Sequence, residues 1–282
     1  MRAQITLTVN EAKWIIAKGM ARLPEVREAL SRGRIFLKGG TTVSCVAEEL
    51  VGATTRISGR ITPNGAKTGR DHGGGFQCAL IERGELISAE GRLVESAARL
   101  RGSDVFIIGA NAIDVHGNAA LMYGAPLGGP PGAVLGGLMA EIPNVFVAVG
   151  LEKLVPGSLS DIMGRVGRRG VDLSMGMAVG LTPVSGRIIS EDVAIPLLGK
   201  VSCTVIGRGG LFGAEGATTL LVEGETREVK AVFEIAESVK GLGVSGRPSS
   251  LEECTFPNEN CRNHLACIYK KRGGKKEAPG KK

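Results

Sequence analysis

Residues 104–118 read DVFIIGANAIDVHGN, and this stretch decides the fold. Val105–Ile108 is a continuous apolar run with no polar alternation. That is the pattern of a strand buried on both faces, as in a parallel sheet. It ends abruptly in a polar turn. Two other runs share the pattern: RIFLKGG (34–40) and NVFVAVG (144–150). Strands of this kind separated by helical patterns predict an α/β fold, with a mostly parallel sheet flanked by helices.

Working outward, ITLTV (5–9) reads as a short extended segment. Asn10 then caps a helix on which Ala12, Ile15, Ile16 and Met20 form one stripe. PEVREALSRG begins a second helix with Pro24 in its first turn and ends it at Gly33. TTVSCVAEELVG predicts a third, capped by Thr41 or Thr42. Residues 53–78 read as broken strand, with a long polar loop at 63–75 that carries Lys67, Arg70 and Gly73–Gly75. FQCALIERGELIS (76–88) is a hairpin and AEGRLVESAARLRG (89–102) a helix. Residues 117–141 read as a glycine-rich loop running into a helix. SLSDIMGRVGRRG (158–170) reads as a helix with a serine cap.

After residue 172 the order becomes strand, helix, strand, strand, helix. The last of these carries Val229, Val232, Phe233, Ala236 and Val239 on one face. The expected organisation is an α/β domain over 1–171 and a smaller α+β ferredoxin-like unit over 172–245. A Cys/His segment follows over 246–269, and a basic disordered tail over 270–282.

Composition narrows the function classes. The chain has 282 residues, enough to bury a core without staples. Its 43 glycines have no three-residue period, which excludes collagen. No apolar run approaches the roughly 18 residues of a membrane span. The first twenty residues carry Glu11, Lys13 and Lys18 and no secretory core, so no leader and a cytoplasmic setting are expected. Of the net charge of +7, residues 270–282 supply +6, leaving +1 for the rest. Nucleic-acid binding is therefore expected only through the tail, and the ten aromatic residues offer few stacking platforms. A reducing compartment disfavours disulfides. Cys45, Cys78 and Cys203 read as buried, reduced core thiols.

Five groups of residues could carry chemistry. In Lys38-Gly39-Gly40-Thr41-Thr42, glycines after a strand admit an anion to free helix-start N–H groups, and Lys38 adds charge. An ordinary βα turn explains the same residues. Asn111, Asp114, His116 and Asn118 follow the strand at 105–108, where ligands gather in open α/β sheets; an Asx-rich turn is the alternative. Gly128, Gly129 and Gly132, beside Pro130 and Pro131, would receive an anion or allow close packing. Glu152-Lys153 ends a strand and would serve acid/base work, or form a solvated pair. Cys254, Cys261, His264 and Cys267 form a four-ligand set for Zn²⁺ or an iron–sulfur cluster, or a reduced thiol cluster. The glycine run 207–216 precedes a strand, with Phe212 at the third glycine position, so it reads as a hairpin loop rather than a dinucleotide fingerprint.

Together, the paired N-terminal helices, RIFLKGGTTV, DVFIIGANAID with its Gly117-Asn118, and NVFVAVGLEKLVPGSLSDIMGRV resemble the lactate-utilisation (LUD) domain. That domain belongs to the superfamily of ribose-phosphate isomerase, glucosamine-phosphate deaminase and CoA-transferase folds (NagB/RpiA/CoA-transferase-like). The likeness covers residues 10–168. It implies an anionic small molecule bound at the strand ends: a phosphorylated sugar, a CoA ester or an organic acid. It also implies association with iron–sulfur redox systems, hence a redox or metabolic partner protein. Asn111 stands where the sugar-phosphate isomerases carry an acid, so a simple isomerase is disfavoured. The expected reading is an enzyme in which Lys38 and Gly39–Thr42 hold the anion. Asn111 and Asp114 would orient the reacting part and Glu152 would be the acid/base. A non-catalytic metabolite-sensing or metal-bearing subunit is the alternative, and a homo-oligomer is expected in either case.

Overall fold

A computed structural model describes residues 1–68, 75–254, 261 and 263–270. The sequence readings that fall on Arg70, Gly73, Gly74 and 271–282 lie outside them. The chain opens with β1 (Arg2–Leu7), α1 (Val9–Met20) and α2 (Pro24–Arg32). β2 (Arg34–Lys38) then runs through Gly39 and Gly40 into α3 (Thr41–Val51). The hairpins β3 (Gly59–Thr62) with β4 (Gly65–Thr68), and β5 (Cys78–Glu82) with β6 (Glu85–Ser88), precede α4 (Leu93–Ala98). β7 (Val105–Ile108), β8 (Ala112–Ile113) and β9 (Ala119–Tyr123) lead to the short helices α5 (Gly129–Gly132) and α6 (Leu135–Glu141). Next come β10 (Asn144–Ala148), α7 (Leu159–Met163), β11 (Gly180–Val184), β12 (Arg187–Ile189) and α8 (Glu191–Leu198). β13 (Val201–Arg208), β14 (Thr218–Gly224), α9 (Thr226–Ser238) and α10 (Pro248–Leu251) complete the order.

The central sheet has six strands in the order β12-β10-β7-β2-β5-β6. The first four are mutually parallel, and the hairpin β5–β6 adds antiparallel strands at one edge. The apolar runs are continuous because both faces are covered. Ile35, Leu37, Val105 and Ile107 pack under α1, α3 and α8. Phe36, Phe106, Ile108 and Val147 pack on the opposite side with Leu135 and Leu138 of α6. Phe36 and Phe106 meet edge to face, with ring centroids 5.7 Å apart. α1 and α8 come close because residue 19 is glycine: a Cβ there would stand 2.8 Å from that of Ala194. Among the described residues no helix is long and apolar enough to cross a membrane.

Several sequence expectations need correction. Thr8, not Asn10, caps α1, through a reciprocal box with Glu11. Gly40, not a threonine, stands at the N-cap of α3. α4 spans six residues because Gly91, at φ +75°, turns the chain just before it. α7 spans five and stops at Gly164, and the Ser158 hydroxyl pairs with Ser160 instead of capping. Ala119–Tyr123, read within a glycine loop, is a strand between β8 and β11. Part of the loop expected at 63–75 is the second strand of a hairpin.

No separate ferredoxin-like sheet forms from 172–245. β11 pairs with β9, β12 extends the central sheet, and β14 needs the N-terminal β1 as its neighbour. Each of these strands hides an edge or a face that the earlier part of the chain leaves open. Cys45 and Cys78 are buried, whereas Cys203, on β13, is only half-buried.

Candidate functional site

The carboxyl ends of β2, β7 and β10 open into a cleft of about 510 Å³. Lys38 ends β2, Gly109–Asn111 leave β7, and Ala148–Gly150 leave β10. The start of α3, from Gly39 to Val43, forms another wall, and residues 59–63 with Val244, Leu251 and Glu253 close the rest. The first-turn amides of a helix have no carbonyl four residues back to serve them, so they face a ligand with positive partial charge. Gly39 is required by close approach: a Cβ there would lie 2.6 Å from the Gln77 carbonyl oxygen and 3.0 Å from that of Arg56. Gly40 has open space at the same position.

Cations surround this opening. Lys13 of α1, Arg60 of β3, and Lys153 all line it with Lys38. Lys13 is buried and donates weakly to Asn10 Oδ1 at 3.5 Å. Burial lowers its pKa, and the negative charge of Glu152 opposes that shift. Arg60 donates Nη2 to the Glu252 carbonyl, while its buried Nε and Nη1 have no hydrogen-bond partner among the described residues.

Glu152 belongs to a single 3-10 turn, Leu151–Lys153, after β10. Gly150 makes room for its carboxylate, since a Cβ there would be 2.0 Å from Glu152 Oε2. That oxygen is buried without a hydrogen-bond partner among the described residues. Lys153 Nζ stands 4.0 Å from the other oxygen. The turn is held from beneath by Glu191. The Leu151 N–H donates to Glu191 Oε2 at 2.9 Å and the Thr218 hydroxyl to Oε1 at 2.8 Å. Burial raises the pKa of Glu191, against those hydrogen bonds.

A second chamber of about 290 Å³ adjoins the first and shares Lys38, Arg60 and Asn111 with it. Asn111 Oδ1 accepts the Met122 N–H at 2.9 Å, which leaves the amide Nδ2 as the group for a ligand. Gly128 and Gly129, at φ +77° and +66°, border this chamber, and the Tyr123 ring packs on Gly128. Burial pushes the Tyr123 phenol up to about 12, and its Oη has no hydrogen-bond partner among the described residues.

The structure thus brings Lys38, Gly39, Gly40, Thr41, Thr42, Asn111, Gly128, Gly129 and Glu152 to two joined chambers. His264 lines the second chamber as well, and the remaining candidates lie elsewhere. Asp114 lines neither chamber. Its Oδ1 accepts the N–H groups of His116 and Asn118, and its Oδ2 accepts the Leu159 N–H and the Asn118 amide. Those donors hold its carboxyl well below the usual carboxylate range despite burial. Asp114 and Asn118 therefore build the Asx turn that the sequence also allowed. Gly132 is a packing glycine: a Cβ would be 2.1 Å from the Leu127 carbonyl oxygen.

Cys261, His264 and Cys267 lie on a C-terminal strap of which Asn263 and His264 line the second chamber. Cys261, His264 and Cys267 are buried and Cys254 half-buried. His264 Nε2 is 2.8 Å from the Thr68 hydroxyl, so a metal on that nitrogen would have to displace Thr68. Among the described residues no three His, Cys, Asp or Glu side chains are gathered as a ligand group.

Sequence reading missed Arg60, Tyr123 and Glu191. Arg60 lay in a stretch read as broken strand and Tyr123 in a presumed loop. Glu191 has the signature of an ordinary first-turn acid. Comparison of the chain with protein-family models, curated proteins and solved structures finds no match.

Proposed function

We propose that the joined chambers bind an anionic small metabolite, a phosphorylated sugar, a CoA ester or an organic acid, and that Glu152 performs acid/base chemistry on it. The observation that carries this reading is the convergence of Lys13, Arg60, Lys153 and the start of α3 on one cleft at the strand ends. Two guanidinium nitrogens of Arg60 are buried there without hydrogen-bond partners among the described residues. A carboxylate or phosphate would supply the missing acceptors. The partnerless oxygen of Glu152, in the same cleft, suits a group that takes or gives a proton at bound substrate. The resemblance of residues 10–168 to the LUD domain agrees with an anion held at strand ends.

Calorimetric titration with orthophosphate, short carboxylates and CoA tests the binding half. Binding should weaken with added salt, and Arg60→Ala should lower affinity about tenfold or more, as loss of a charged hydrogen bond does. Unchanged affinity in that variant would remove Arg60 from the site. Glu152→Gln should retain binding and lose turnover once a substrate is found.

A further inference from the structure

Lys38 differs from the other cations of the cleft. Lys13 faces Glu152, Lys153 stands beside Glu152, and Arg60 donates to a carbonyl. Lys38 sits where the two chambers meet and lines both. Its Nζ makes one long hydrogen bond, 3.4 Å to its neighbour Gly39 O. Among the described residues no carboxylate is paired with it; the titratable group that acts on it is the Cys78 thiol across the β2–β5 ladder, which burial pushes up to about 11. The positive end of α3 begins two residues away and further disfavours an ammonium. Burial lowers the pKa of Lys38.

We propose that Lys38 is a nucleophile that condenses with the carbonyl carbon of its substrate, so the anion taken by the cleft bears an aldehyde or ketone. This rests on the anion-binding reading for the substrate's charge, but not for the reactivity of the amine. The neutral Nζ adds to the carbonyl carbon and gives a carbinolamine. Loss of one water, made of the carbonyl oxygen and both Nζ protons, then gives a neutral imine, with Glu152 or solvent only relaying protons between nitrogen and oxygen. No oxidant or reductant takes part. An open-chain sugar phosphate and a 2-oxo acid both have the required carbonyl.

The test is reductive trapping on the full chain. The protein is treated with glyoxylate, an anionic aldehyde, or acetaldehyde, a neutral one, in the presence of cyanoborohydride. Modified lysines are then mapped by peptide mass spectrometry. Only the unprotonated amine adds to an aldehyde, so the downward shift that burial imposes on Lys38 favours its labelling. Lys38 should be labelled severalfold faster than the median exposed lysine. Lys38→Arg should lose that label and keep the others. Orthophosphate titration runs alongside. Phosphate that binds and blocks glyoxylate labelling of Lys38 supports both readings. Acetaldehyde labelling of Lys38 without any phosphate binding keeps the nucleophile and overturns the anionic substrate. Phosphate binding with Lys38 labelled no faster than surface lysines overturns the nucleophile and leaves the anion site standing.

Discussion

The carboxylate of Glu191 accepts the backbone N–H of Leu151 at 2.9 Å, from a helix packed behind the strand that ends there. One acid thus fixes the turn that presents Glu152 and Lys153 to the cleft. Its second oxygen takes the Thr218 hydroxyl. Glu191→Ala would leave two buried donors without acceptors, at a cost of roughly 1–3 kcal/mol each. Glu191→Gln keeps an acceptor for Leu151 and should cost less. Burial raises the folded-state pKa of Glu191 above its unfolded value. Its contribution to stability is therefore fully present below the unfolded pKa and is lost as pH rises through the folded one. Chemical denaturation over a pH series should find this slope in the native chain and a flatter one in Glu191→Gln.

Adjacent glycines at the start of α3 make different predictions. A Cβ at Gly39 would press on two carbonyl oxygens, whereas at Gly40 it meets nothing within 4 Å. Gly40 has φ −169°, which any residue adopts. Gly39→Ala should cost roughly 1–3 kcal/mol by overpacking and weaken anion binding by displacing the helix start. Gly40→Ala, at an N-cap where glycine is preferred to alanine, should cost less, about 0.5–1 kcal/mol. Equal stabilities in urea denaturation would mean that the close approach at Gly39 is not required.

Asp114 tests the separation of turn from site. The N–H donors that converge on it depress its carboxyl. It therefore stabilises the fold above its unfolded pKa, and that contribution is lost as pH falls toward the folded one. Asp114→Asn puts an NH₂ group where an acceptor is needed and should lower Tm at neutral pH, with a smaller difference in acid. Orthophosphate affinity of the folded variant should match the native chain, since Asp114 lines neither chamber. A selective loss of affinity would return Asp114 to the site.

The parallel strands were legible because Val105–Ile108 and Ile35–Leu37 are apolar on both faces, a pattern that belongs to no surface element. The glycine turn after Lys38 was legible because it follows such a strand directly. The sheet of β8, β9 and β11 was not. Ala119–Tyr123 is five residues long and flanked by turn residues, and its partner Gly180–Val184 lies far along the chain. Pairing at that separation leaves no periodic signature in either strand alone. Tyr123 was missed for the same reason, since its burial against the chamber depends on β9 being a strand; Arg60 lies in a stretch read as broken strand, and nothing in that stretch alone marks its side chain as facing the chamber. Asp114 was legible as a polar strand-end residue, but Leu159, which fills its second oxygen, is 45 residues away.

The C-terminal strap offers a last test that separates local from general loosening. Ser174 N–H donates to Ala266 O at 2.9 Å and Ala178 N–H to Leu265 O at 3.0 Å. Between them, Met177 N–H donates to Ala66 O of β4 at 2.8 Å. Deleting 261–282 removes two of these acceptors and keeps the third. Amide exchange at Ser174 and Ala178 should therefore accelerate strongly while Met177 stays protected. The same deletion removes His264 from the wall of the second chamber and frees the Thr68 hydroxyl. Acceleration at all three amides would mean that β4 and residues 174–178 are ordered only together with the strap. The second chamber would then depend on the C-terminal segment for its existence, and not just for one wall.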